Sequence, residues 1–187
     1  MKTAPFLQRP FVLLSLLSLI LATSTHAGQQ PQPAPEAAVL KIWLGEWTYE
    51  GKGEPSPFGP ASGKYKGRMT SRLILGGFFL ESRWQDRNEA GYFAQGLHIR
   101  GYDPATRTYI SRGYENDGSA SAASTVVHGN TWTSTGTRTE QGRSYKTRYV
   151  VTFARDGRSA TSVAEYSDDE GQTWRTWWKD TMKRLRK

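Results

Sequence analysis

From residue 45 onward, the chain is a succession of short segments rich in aromatic and β-branched residues, with turn residues between them. The turns recur at roughly 8–12 residues, a spacing typical of β-sandwiches and β-barrels. No amphipathic stretch of helical period longer than two turns interrupts the series. The pattern therefore predicts an all-β fold. The ten predicted strands are 45–51, 65–75, 78–86, 92–102, 108–116, 119–128, 131–140, 145–154, 159–167 and 174–184.

The connections between these segments favour hairpins. Gly76-Gly77, Asp117-Gly118 and Gly129-Asn130 supply residues that tolerate positive φ, as tight turns require. Ten strands joined in this way form a meander, and a meander loses its open edges when it closes on itself. We predict a single antiparallel meander β-barrel of about ten strands, preceded by a short helical turn within residues 36–42.

The first 27 residues have the pattern of a secretory signal peptide. Lys2 and Arg9 make the amino terminus positive, residues 11–22 are apolar except for two serines, and the small residues Thr25 and Ala27 precede the cleavage site. The apolar run is shorter than the roughly 20 residues of a membrane-spanning helix. We expect cleavage after Ala27 and a periplasmic or secreted protein with no stable membrane anchor.

The mature chain divides into a Pro/Gln-rich linker at 28–35 and one barrel domain at 36–187. It contains no Cys, which excludes disulfides and thiolate metal sites.

The mature chain has a moderate positive charge. Removal of Lys2 and Arg9 with the signal peptide leaves 23 basic and 17 acidic residues, a net charge of +6. In residues 64–73 the basic side chains alternate with other residues, as on the solvated face of a strand. For this reason, and because the protein is expected to be exported, nucleic acid is not an expected partner.

Alternation along the strands indicates which side chains share a face. It does not fix which face points inward: if the even-numbered residues of 92–100 do, His98 lies in the lumen, and Trp177 is grouped with the outer aromatics. The lumen is expected to bind a small hydrophobic ligand through aromatic and polar side chains. The candidate ligand-binding residues are Trp84, His98, Arg112, Tyr114, Tyr149 and Trp178.

Three functions are compatible with such a barrel. The favoured one is binding of a small apolar or amphipathic ligand, because barrels of this strand number leave room for about one small molecule. The second is a partner-binding or structural envelope protein with a filled barrel and outer aromatics such as Trp177. The third is a lumen enzyme using His98, titrating near neutrality and tuned by Glu81 or Arg112.

Known catalytic motifs are missing from the sequence. It has no phosphate-binding loop, no His-Glu-x-x-His and no Gly-x-Ser-x-Gly, and the two His of the mature chain lack the close spacing of metal ligands. We assign no catalytic residue and no metal site, and a function other than catalysis is favoured. The sequence makes no prediction of the oligomeric state.

Residues 167–174 fit the Asp-box pattern Ser-x-Asp-x-Gly-x-Thr-Trp at every fixed position. Sialidases carry several such boxes on propeller blades, but one copy in a chain of this length cannot build a propeller. We interpret the box as a structural hairpin staple. Its residues are Ser167, Asp169, Gly171, Thr173 and Trp174.

Four short motifs occur in order along the chain. They are Leu44-Gly-Glu-Trp47, Pro57-Phe-Gly-Pro60, Leu75-Gly-Gly-Phe-Phe-Leu80 and Gly101-Tyr-Asp-Pro104. This set resembles a lipocalin-like family of exported bacterial proteins that is catalogued as a domain of unknown function. The resemblance covers residues 40 to about 183 and implies a calycin-like β-barrel without an agreed activity.

The opening Gly45-Glu-Trp47 is also similar to that of the nitrobindins, barrels that hold haem through a His. The rest of that opening motif is missing from this chain. We therefore predict no cofactor.

Overall fold

The structure is a computed structural model that describes residues 31–59 and 62–185. The predicted signal peptide and the start of the predicted linker lie outside the described residues. Residues 31–34 form neither helix nor strand. No helix in the described ranges is both long and apolar enough to cross a membrane.

The described chain contains two 3-10 helices, Pro35–Trp43 and Leu75–Gly77, and ten strands. The strands, in chain order, are β1 Gly45–Gly53, β2 Gly63–Ile74, β3 Phe79–Asn88, β4 Phe93–Asp103, β5 Thr108–Glu115, β6 Ala120–His128, β7 Thr131–Glu140, β8 Arg143–Phe153, β9 Ser159–Ser167 and β10 Arg175–Arg184.

Each strand pairs antiparallel with the next, and β1 also pairs with β10, so that the sheet closes into a barrel. At this closing seam, Gly51 lies opposite Asp180 of β10 on one side and Tyr65 of β2 on the other. Closure pairs the backbone groups that an open sheet leaves exposed at its edges. The predicted ten-strand meander barrel is confirmed, and each predicted strand end lies within two residues of the observed one.

The first 3-10 helix plugs the end of the barrel at which β1 begins. Leu40, Trp43, Trp47 and Phe153 are buried there in one cluster. Trp47 Nε1 donates a hydrogen bond to the carbonyl oxygen of Trp43 at 2.9 Å, and the rings of Trp43 and Phe153 meet edge to face with centroids 4.8 Å apart. This helix end of the barrel is called the closed end below.

A second aromatic cluster lies at the opposite end of the barrel. Phe58, in the connection between β1 and β2, packs against Tyr145, Tyr166 and Trp177. The ring centroid of Phe58 is 4.5 Å from that of Trp177 and 5.2 Å from that of Tyr145. These side chains cover the interior on the side of β8 to β10.

The predicted outward position of Trp177 is wrong. The register between β9 and β10 shifts between Thr176 and Trp178, which marks a β-bulge. A bulge inserts one residue and breaks the alternation of faces. As a result, Trp177 and Trp178 both contribute to the lining of the interior.

The hairpin between β9 and β10 is held by Asp169. Its carboxylate accepts hydrogen bonds from Ser167 Oγ at 2.6 Å and from the backbone N–H and hydroxyl of Thr173 at 2.9 and 2.6 Å. These hydrogen bonds lower the pKa of Asp169 well below its usual range. Gly171 has a φ of +93° and lies against the ring of Trp174. The described geometry is that of a turn staple outside the cavity described next.

Candidate functional site

The barrel encloses a cavity of about 290 Å³ between the two aromatic clusters. All ten strands contribute side chains to its wall. Small-molecule pockets usually measure roughly 300–1,000 Å³, so this cavity suits one small molecule. The interior is therefore not filled by side chains.

A larger concavity, of about 620 Å³, lies on the outer face of β1, β2, β3 and β10. Exposed side chains such as Lys66, Arg68 and Lys183 line it. These side chains are solvated, whereas the interior cavity is lined mostly by buried and half-buried side chains. We therefore take the interior cavity as the candidate site.

The structure brings four of the six candidate ligand-binding residues together in this cavity. Trp84, His98, Tyr149 and Trp178 all line it. The rings of Tyr149 and Trp178 lie with centroids 5.1 Å apart, and those of Trp84 and His98 with centroids 6.2 Å apart. The cavity thus has an aromatic wall on β3 and β4 and another on β8 and β10.

Arg112 and Tyr114 lie on the outer face of β5, where both are exposed. The reason is the register between β4 and β5, which pairs His98 with Gly113 and Arg100 with Ser111. Paired residues face the same side of a sheet, so odd-numbered residues of β5 face the lumen. The structure does not bring Arg112 or Tyr114 to the cavity.

The lining also contains carboxylates that the sequence analysis did not select as ligand-binding residues, among them Asp86 on β3 and Asp180 on β10. Tyr49 Oη lies 3.4 Å from Asp86 Oδ2 and Tyr65 Oη lies 3.2 Å from Asp180 Oδ2, each as a hydrogen-bond donor. The hydroxyl of Ser162 also donates to Asp180. Strand alternation is the sequence feature that places Asp180 in the interior, because Asp180 is two residues from the inward-facing Trp178 and two residues from the inward-facing Met182.

Burial sets the protonation of this group of side chains. It raises the pKa of Asp86 and of Asp180 to about 6 each. Burial, together with the nearby aspartates, also raises the pKa of Tyr49 and of Tyr65 far above the usual range. The tyrosines therefore remain hydrogen-bond donors, while the aspartates change charge near neutral pH.

His98 behaves differently from the expectation. Burial, with a smaller effect of the Arg100 guanidinium, lowers the pKa of His98 to about 3, so the prediction that it titrates near neutrality is wrong. Glu81 does not tune it, since Glu81 faces the other side of β3 and pairs with Arg72 and Arg83 at 3.0 and 3.1 Å. His98 is a neutral imidazole in the cavity wall.

Strand glycines make room for two of these side chains. A Cβ at Gly113 would lie 2.7 Å from the His98 ring, and a Cβ at Gly67 would lie 2.3 Å from the Tyr49 ring. Real Cβ atoms do not approach so closely. Glycine at an interior strand position is a known sign of close approach by another group, and it is the sequence signal that points to Tyr49 and His98.

The raised pKa of Asp180 predicts a pH-dependent stability. Below about pH 4 both the folded and the unfolded protein hold a proton on Asp180. As the pH rises through about 6, the folded protein loses the stability that this proton contributes. Asn cannot ionise, so the free energy of unfolding of Asp180→Asn, relative to the unchanged protein, is expected to rise by about 1–3 kcal/mol between pH 4 and pH 7.

Urea denaturation of both proteins at the two pH values measures this difference. Asp156→Asn, at an exposed turn, controls for the loss of one negative charge. A relative stability of Asp180→Asn that is the same at both pH values would contradict the prediction.

A closed ten-strand antiparallel barrel with an internal cavity and a helical plug at one end defines a lipocalin-like, or calycin-like, β-barrel protein. The chain belongs to the family of proteins of unknown function DUF1579, whose model matches residues 32–184. The lipocalin-like resemblance read from the motifs is confirmed. No curated protein matches the chain.

Two solved structures are similar to this one. The crystal structure of Rv2717c from M. tuberculosis has 16% sequence identity and a TM-score of 0.57, over 83% of this chain and 100% of that chain. The structure of EF1p2_mFAP2b bound to DFHBI has 12% identity and a TM-score of 0.45, over 80% of this chain and 98% of that chain. At such identities a likeness concerns the fold alone, and here it rests on the first structure.

Proposed function

We propose that this protein is a binding barrel that holds one small amphipathic organic molecule in its interior cavity. The observation that carries the proposal is a space inside the barrel whose wall contains a hydrogen-bonding group without a protein partner. Trp84 Nε1 is buried and has no hydrogen-bond partner in the described chain. Buried polar groups of this kind are normally satisfied by a ligand, an ion or ordered water.

The aromatic walls supply the apolar part of the recognition. Trp84 stands on one side of the cavity, and Tyr149 and Trp178 stand on the other. Aromatic rings bury a large apolar area and favour stacked or edge-on contacts with other rings. A molecule with a flat apolar body and a few polar groups fits this combination of surfaces.

The amino-terminal pattern supports a second part of the proposal, that the barrel acts in the periplasm or outside the cell. Cleavage after Ala27 stays a prediction, since it falls outside the described residues. The mass of the mature protein, purified from the periplasm or the medium of an expressing bacterium, tests it.

Ligand binding is tested by filling the cavity. Ala94 lines the cavity on β4, and Ala120 is exposed on β6. Ala94→Trp is expected to occupy the space, while Ala120→Trp is a matched control that adds the same side chain outside. The neutral fluorogenic probe N-phenyl-1-naphthylamine is expected to bind to the unchanged protein and to Ala120→Trp, and at least tenfold more weakly to Ala94→Trp.

Native mass spectrometry of the purified protein complements the titration by detecting any molecule that co-purifies. Circular dichroism checks that both variants fold. Equal probe affinity in all three proteins would place binding outside the cavity and overturn the proposal. So would a protein that carries no molecule and does not bind the probe.

A further inference from the structure

Arg100 is a buried cation at the closed end of the cavity. It lies on β4, is 8% exposed and lines the cavity. Its guanidinium lies over the ring of Trp43, with Cζ 4.8 Å from the ring centroid. This cation–π contact holds the guanidinium next to the plug at the closed end.

The hydrogen bonds of Arg100 are largely unmade. A guanidinium has five N–H donors, and in the described chain only Nη1 finds a protein acceptor, Ser82 Oγ at 3.2 Å. Arg100 forms no ion pair there, whereas Arg138 and Arg148, which also line the cavity, pair with Glu115 at 3.7 Å and Glu165 at 2.7 Å. Burying a charge without a counter-ion costs several kcal/mol of folding free energy. A bound anion next to Arg100 would offset this cost.

The cavity aspartates do not supply that anion. Arg100 is paired in register with Leu80, and Asp86 lies six residues further along β3, which is about 20 Å of extended strand. Asp180 already accepts hydrogen bonds from Tyr65 and Ser162. Two further carboxylates of the lining, Glu115 and Glu165, pair with Arg138 and Arg148, so in the described chain no carboxylate forms an ion pair with Arg100.

Two further polar groups lie next to Arg100, on β4 and on the first 3-10 helix. The neutral imidazole of His98, two residues before it, lines the cavity and makes no hydrogen bond in the described ranges. Nε1 of Trp43, whose ring lies against the Arg100 guanidinium, is a buried donor without a partner there. A group of unsatisfied donors around one cation matches a carboxylate, which offers two oxygens and about four acceptor positions.

We infer that the ligand is an organic acid whose anionic group binds to Arg100 and whose apolar body lies between the aromatic walls. This inference rests on the proposed binding function and narrows it to one ligand class. Hydrogen bonds to a charged group are worth about 1.5–3 kcal/mol in proteins, which corresponds to a preference of about tenfold or more for the anion over a neutral molecule of the same shape.

The test uses a pair of probes that differ only in charge, 2-naphthoate and 2-naphthamide. Each is titrated against the protein loaded with N-phenyl-1-naphthylamine, and the displacement gives its relative affinity. The unchanged protein is expected to bind the acid at least tenfold more tightly than the amide. In Arg100→Gln this ratio is expected to fall below about threefold, with the affinity for the amide and for the neutral probe retained.

Two further variants separate the role of Arg100 from general charge effects. Arg112→Gln removes an exposed positive charge on β5 and is expected to keep the preference for the acid. Arg100→Lys keeps the charge and is expected to keep part of the preference.

Failure of this inference is distinguishable from failure of the binding proposal. Binding of the neutral probe with equal affinities for acid and amide, or a preference unchanged in Arg100→Gln, overturns the inference and leaves the binding barrel standing. Absence of any probe binding to the unchanged protein overturns both.

Discussion

Replacing Trp47 with alanine is expected to lower the free energy of unfolding by about 3–5 kcal/mol, the usual range for removal of a fully buried aromatic side chain. Trp47 is completely buried at the closed end of the barrel. Its ring contacts Phe153 at a centroid distance of 5.9 Å and lies under the guanidinium of Arg184 at 4.7 Å. Its N–H also anchors the 3-10 helix through the carbonyl of Trp43. Because domains are stable by only about 5–15 kcal/mol, the loss is a large share of the total.

Guanidinium chloride unfolding followed by far-ultraviolet circular dichroism measures this effect without relying on tryptophan fluorescence. Trp47→Phe keeps most of the apolar volume but removes the N–H, so it is expected to cost only about 1–2 kcal/mol. A loss below about 1 kcal/mol for Trp47→Ala would contradict the assignment of Trp47 as the plug.

Replacing Gly51 with alanine is expected to open the seam at which the barrel closes. A Cβ at this position would lie 2.2 Å from the carbonyl oxygen of Lys179 and 2.6 Å from the Cβ of Asp180. The nearest atom belongs to the backbone of β10, which cannot turn away as a side chain does. The strands must separate, and overpacking of this kind costs about 3 kcal/mol.

Two variants serve as comparisons for Gly51→Ala in the same unfolding measurement. Lys52→Ala changes the next residue of β1, whose side chain is 63% exposed, and is expected to change stability by no more than about 0.5 kcal/mol. Gly67→Ala is expected to cost less than Gly51→Ala, because its nearest neighbours are ring atoms of Tyr49. Equal stabilities of Gly51→Ala and Lys52→Ala would show that the seam tolerates a side chain.

Local patterns predicted the strands well because each strand and its turns are specified by neighbouring residues. Turn residues such as Asp117-Gly118 and Gly129-Asn130 mark hairpins where the structure has them. Alternation within a strand also identified which residues share a face, and the structure places the faces of His98, Tyr149 and Trp178 in the lumen. These signals act over a few residues and do not depend on the rest of the fold.

The face of each strand was less predictable, because alternation states only which residues share a face. Which of two faces points inward depends on register with the neighbouring strand, and one residue reverses it. The register of β4 with β5 placed Arg112 and Tyr114 outside. The bulge at Thr176 turned Trp177 inward for the same reason.

The sequence by itself determined that this chain forms ten antiparallel strands in a closed meander, because hydrophobic alternation and turn chemistry are local properties of the chain. Only the tertiary structure decided the contents of the cavity, because these depend on contacts between distant residues. Tyr65 and Asp180 meet across 115 residues of chain, and Arg100 is left without a carboxylate because of how the strands align. Barrel closure determines which of these distant groups come into contact. Local sequence patterns do not predict such contacts.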